Sequence, residues 1–167
     1  DLAGGEPGAR SHVLDLGAQG LQETLQRLAA GGLATVGAGH DLASALAPAV
    51  VSPDGAATVS VLAYAHPGSG VPPGWAAGPR RPGVALLPDL SARTAAAIAG
   101  RIEREKARGA IVAVSLHWGS NWGFDIPGAQ VRFAHRLVDA GADLVHGHSS
   151  HHPRPIEVYA DRLVLYG

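Results

Sequence analysis

Apolar positions along this chain alternate between two periods. Leu21, Leu25 and Leu28 recur at helical spacing between Ala18 and Ala30, and Gly31-Gly32 stops the run. Ser91 caps a second helical stretch that reaches about Arg108 and ends at Gly109. A third opens at Pro127 or Gly128 and runs to about Ala140, with Val131, Ala134, Leu137 and Val138 on its inner face. Between the helices lie short, nearly continuous apolar runs of the kind buried strands carry. They are Thr58 to Ala65, after the turn at Pro53-Asp54-Gly55, then Ala110 to Leu116, and Asp143 to Gly147. Leu33 to Val36 predicts a further strand ending in Gly37-Ala38-Gly39, and Asp41 can cap a short helix through Ala47. Gly83 to Leu87 predicts a short extended piece. Ile156 to Tyr159 and Leu163 to Tyr166 predict a hairpin around Ala160-Asp161-Arg162. The first ten residues, and His66 to Pro82 with their Gly and Pro, predict loops.

This alternation of helix and strand predicts an α/β fold. In such sheets, sites form at the carboxyl ends of the strands. A length of 167 residues predicts one compact domain, residues 1–167. The chain begins at Asp1, contains no methionine and stops inside an apolar strand pattern, so it reads as a piece cut at both ends.

Composition narrows the chemistry. The formal net charge is -1, and the basic residues near Arg80-Arg81 and from Arg101 to Arg108 are few and, in the second case, mixed with acids. No nucleic-acid footprint is present, and the stretch from Arg101 to Arg108 reads as the solvated end of a helix. No apolar run approaches the ~18 residues that span a bilayer. There is no cysteine. Any metal site must therefore use nitrogen and oxygen ligands, which suit Zn, Mn, Fe or Ni.

Nine histidines are the conspicuous reserve of such ligands. Four crowd into His146-Gly147-His148-Ser149-Ser150-His151-His152, directly after an apolar strand. His117 ends the strand before it and is followed by Trp118-Gly119. His148 and His151 can converge if the loop turns tightly. His146 alternates with His148 and points to the same face, where it can be a further ligand or can pack in support of the others. His152 reads as rim and His135 as a structural helix residue, while His40 and His66 sit at strand ends beside loops. Trp118 and Trp122 can wall a substrate or cover the sheet edge. Asp125 can bind metal or hold a histidine. Glu157, Asp139 and Asp143 read as surface, helix-end and strand-start residues.

Four separated motifs, in order, resemble the CapA family of poly-γ-glutamate capsule biosynthesis, within the calcineurin-like metallophosphatase superfamily. They are His12-Val13-Leu14-Asp15-Leu16-Gly17, Gly37-Ala38-Gly39, Ser115-Leu116-His117-Trp118-Gly119, and Gly147-His148 to His151 followed by Pro155-Ile156-Glu157-Val158-Tyr159. The resemblance runs from Ser11 onward. It implies a sandwich of two sheets flanked by helices, with two divalent ions (Mn, Fe or Zn) at the strand ends. It also implies His117 and His148 on one ion, His151 on the other, and His12 as the general acid that meets the substrate anion. Asp15 would shape the local turn or orient His12. Two cations about 3.5–4 Å apart can clamp the attacking and leaving oxygens of a hydrolysis and lower the pKa of bound water.

The implied substrate is an anionic polymer or a phosphoester-type compound, and the implied place is the cell surface or membrane, beside membrane-bound polymer synthase subunits. Ser11 stands where the family has a ligating Asn, and the family's aspartate-bearing strand and second acidic motif would precede Asp1. Its Gly-Asp or Gly-Asn segment would follow Gly167. A non-catalytic scaffold of a polymer synthesis or export complex is the alternative, and a decayed copy the third reading.

Overall fold

The computed structural model describes residues 12–52 and 57–167; of His12 only the backbone is described. A turn of 3-10 helix at His12–Leu14 leads into α1, Gly17–Ala30. Then follow β1 (Ala38–Gly39), α2 (Leu42–Ala45), β2 (Ala49–Val51), β3 (Val59–Ala65), β4 (Gly83–Val84), α3 (Ala92–Ala107) and β5 (Ile111–His117). The chain closes with α4 (Gly128–Asp139), β6 (Leu144–His148), β7 (Ile156–Tyr159) and β8 (Arg162–Leu165). The fold class is α/β, with a six-stranded sheet and a two-stranded sheet flanked by helices.

The large sheet has the order β2-β3-β5-β6-β8-β7. Its middle strands β3, β5, β6 and β8 are parallel, and β2 and β7 close the edges antiparallel. The helices α3 and α4 supply the crossovers that parallel neighbours require. Strand alternation sorts the residues: Leu62, Tyr64, Val112, Val114, Leu116, Val145 and Val164 face the helices and are buried. They pack against Ile98 and Ile102 of α3 and Phe133 and Leu137 of α4. Side chains of this kind contribute roughly 1.5–3 kcal/mol each on full burial. A smaller cluster joins Leu14, Leu21 and Leu25 to Ala65, Val71 and Val84, which ties α1 to the two-stranded sheet.

Local signals explain most boundaries. The Asp41 side chain accepts from Ser44 N–H at 2.7 Å, and the Ser91 hydroxyl accepts from Thr94 N–H at 3.2 Å. Asp143 is more than a strand-start residue: its carboxylate accepts from Val112 N–H and pairs with Lys106 at 2.7 Å.

Three expectations need correction. Leu33 to Val36 forms no strand; Leu33 is 60% exposed, and pairing starts only at Ala38, opposite Val84. An apolar run becomes a strand only where a partner meets it. The edge strand β2 was not expected from its three residues after Pro48. The stretch from Arg101 to Arg108 is not wholly solvated: Ile102 and Glu105 are buried, and Arg101 Nη1 donates to Leu46 O at 3.1 Å. The predicted turn at Pro53-Asp54-Gly55 lies outside the described residues.

Candidate functional site

The parallel register sets Ala65, His117 and His148 side by side at the carboxyl ends of β3, β5 and β6. The His117 and His148 rings lie 5.0 Å apart between centroids, inclined by 19°. His146, two residues back on β6, shares their face; its ring is 5.6 Å from that of His148, and its Nδ1 lies 3.3 Å from Ser115 Oγ. His117 and His148 line a cleft of about 480 Å³ together with Val13, Gly37, Ala63 and Ser115.

Ser69 orients His117. Its hydroxyl lies 2.8 Å from His66 O, 3.1 Å from His117 O and 3.2 Å from His117 Nδ1. The single hydroxyl hydrogen goes either to one of these carbonyls or to Nδ1. With the hydrogen on a carbonyl, the hydroxyl oxygen accepts from Nδ1–H and His117 Nε2 carries the lone pair that a metal takes. Nothing periodic in the loop after His66 marks Ser69 for this duty, which is why the sequence did not disclose it. Desolvation in the cleft lowers the His117 pKa. Desolvation, then the nearby His117 and His146 rings, push His148 down to about 4. Both imidazoles are therefore neutral near pH 7.

The loop after β6 is strained and clamped. Ser149 has a φ of 133°, a region L-residues rarely adopt. Its hydroxyl reaches Gly119 O at 3.2 Å, so the loops after β5 and β6 are joined. Arg154 is buried, and its Nη2 donates to Ser120 O, Ser120 Oγ and Trp122 O. The same loops carry His151, whose N–H donates to Asn121 O at 3.0 Å while its ring lies 5.6 Å from Trp122. His152 stacks on Trp122 and touches Phe124, both of which are exposed.

The structure thus brings His117, His148 and His146 together and sets His151 against Trp122. Ser11 lies outside the described residues, as does the side chain of His12. Trp118 is a core residue, stacked on Tyr166 with its indole N–H donating to Tyr166 O. Trp122 is the exposed one of the pair. His135 is structural, with Nε2 3.0 Å from Glu157 and its ring stacked on Tyr159 at 3.7 Å. His66 Nδ1 accepts from Gly68 N–H, and Asp125 is exposed.

Two neutral imidazoles at adjacent strand ends have the chemistry of divalent-cation ligands. Among the described residues, no group of three or more His, Asp or Glu converges as a metal shell. The chain supplies two such donors side by side.

The chain belongs to the family described as bacterial capsule synthesis protein PGA_cap, whose model matches residues 8–167. It is 49% identical over 160 residues to a protein of Mycobacterium tuberculosis named "Probable polyglutamine synthesis accessory protein". It is 33% identical over 159 residues to the "PGA biosynthesis protein CapA" of Bacillus subtilis, and 26% identical to the "Capsule biosynthesis protein CapA" of Bacillus anthracis. Each match covers 95% of this chain but only 42%, 39% and 37% of the respective relative, so the chain spans about two fifths of their length.

Proposed function

We propose that this chain carries the strand-end histidine site of an accessory protein in capsule-type polyglutamate synthesis, and that the site takes a divalent cation. The observation that carries this reading is the His117–His148 pair, neutral and 5.0 Å apart at adjacent parallel strand ends. His117 and His148 would hold one ion of Mn, Fe or Zn. For His151 to serve a second ion, its ring has to turn off Trp122. Bound cations would supply Lewis-acid stabilisation of an anionic centre on a phosphoester or amide-like linkage. Within the chain, Ser69 holds the His117 ring, the Ser149 and Arg154 contacts hold the two loops, and His12 is the candidate proton donor to a leaving group. The substrate side is an anionic polymer or a phosphoester-type compound, met at the cell surface beside membrane-bound synthase subunits. Among the described residues, no helix is long and apolar enough to cross a membrane.

The test is metal content of the purified protein, by mass spectrometry, together with turnover of a generic phosphodiester. Bound metal that is lost in His117→Ala and in His148→Ala, with turnover lost alongside, is the expected result. Metal content unchanged in both variants would overturn the assignment. Ser11 in place of the motif Asn favours a second reading, a non-catalytic scaffold. It predicts metal-free protein that still associates with the synthesis machinery.

A further inference from the structure

The helix-covered side of the sheet holds a second cleft, of about 600 Å³, between α2, α3 and residues 86–89. Leu46, Leu86 and Ile98 give it apolar walls, and Arg93 and Arg101 of α3 line it. Arg101 is anchored through Nη1 to Leu46 O at 3.1 Å, and its other N–H groups have no hydrogen-bond partner among the described residues. Neither arginine has a carboxylate partner among the described residues. Asp89 also lines the cleft, but its carboxylate is engaged by Ser91 N–H and the Thr94 hydroxyl at the start of α3. Counting Asp89 against the two arginines leaves the lining one positive charge in excess.

Tyr64, the remaining polar residue, is the second and independent sign of a ligand. It is 6% exposed, lines the cleft, and its hydroxyl has no hydrogen-bond partner among the described residues. Buried hydroxyls are nearly always partnered, and an orphan in a cleft calls for an acceptor from outside the chain. Arg101 lines the same cleft as this phenol.

We propose that this cleft binds an amphipathic monocarboxylate, an acyl chain with one anionic head. The head lies on the Arg101 guanidinium, the Tyr64 hydroxyl turns out of its buried position to donate to it, and the chain lies on Leu46, Leu86 and Ile98. An apolar lining with a few convergent polar groups and a volume of several hundred Å³ is the usual form of a small-ligand site. A guanidinium is the preferred partner of a carboxylate.

Calorimetric titration of the purified protein with decanoate, and with decanol as the uncharged control, tests this. Decanoate is expected to bind at least about tenfold more tightly than decanol, because the alcohol offers nothing to Arg101. Arg101→Gln should erase that preference, and Tyr64→Phe should weaken decanoate about tenfold. Tyr64→Phe should also raise the melting temperature of the ligand-free protein, since it removes an unpartnered hydroxyl, and this shows that the variant folds. Equal binding of acid and alcohol, no binding of either, or unchanged affinity in Arg101→Gln would overturn the proposal. Concentration-dependent dimerisation abolished by Leu42→Glu, at an exposed residue of the cleft, would instead give the cleft to a second copy, and would overturn it too.

Discussion

Gly147→Ala is the sharpest test of how this sheet is packed. Gly147 lies between His146 and His148 on β6, and its backbone is not in the left-handed region, so alanine is conformationally tolerated there. The obstacle is steric. An added Cβ would run into the Trp118 indole nitrogen and would lie 2.6 Å from Tyr166 O and 2.9 Å from Tyr166 C. None of these neighbours yields easily. Trp118 is 1% exposed and wedged between Phe133 and Tyr166, and the Tyr166 oxygen and carbon belong to the backbone. Overpacking of this kind costs about 3 kcal/mol. In a chain of this size that lowers the melting temperature by about 6–12 °C.

Urea denaturation followed by far-UV circular dichroism measures the loss. Adding Trp118→Leu removes the indole half of the clash, so the double variant should recover about 1 kcal/mol relative to the sum of the single changes. A Gly147→Ala protein within about 0.5 kcal/mol of the parent would refute the close approach of β6 to Trp118 and Tyr166.

Ser69→Ala removes the group that fixes His117. It should cost about 1–2 kcal/mol and shift the His117 ring away from its Nδ1–H tautomer, read from nitrogen–proton correlation spectra; an unchanged tautomer would show that Ser69 does not orient the ring. The His148 imidazole titrates at about 4 in the folded chain, against 6.5 for an unperturbed histidine. Between those values the unfolded chain takes up a proton that the folded chain does not, so stability falls as pH drops from about 6.5 to about 4. His148→Gln should flatten this acid limb in denaturation curves recorded across that range, and an identical slope in the variant would assign the limb elsewhere.

The local code in this chain is strong where helices and buried strands are concerned. Leu21, Leu25 and Leu28 at helical spacing, the caps at Asp41 and Ser91, and the apolar runs ending at His117 and near His148 each specify an element through contacts a few residues long. The same reading placed His117 and His148 at the carboxyl ends of two strands, where sites form in α/β sheets, while their adjacency comes from the β5–β6 register. It failed where an element depends on its partner. Leu33 to Val36 has strand-forming residues but no strand opposite, whereas Ala49–Val51 forms an edge strand because β3 is there to receive it.

Only tertiary structure decided which histidines meet. His151 is three residues from His148 in the chain, yet the strained turn at Ser149 and the loop clamped by Arg154 set its ring on Trp122. Ser69 and His117 are far apart in sequence, so no spacing rule joins them; crossing from β3 to β5 does. Helix and strand identity follow from short-range periodicity that any window of the chain contains. The direction of a side chain at a loop, and the partner of a buried hydroxyl such as that of Tyr64, are set by long-range packing that the linear pattern does not encode.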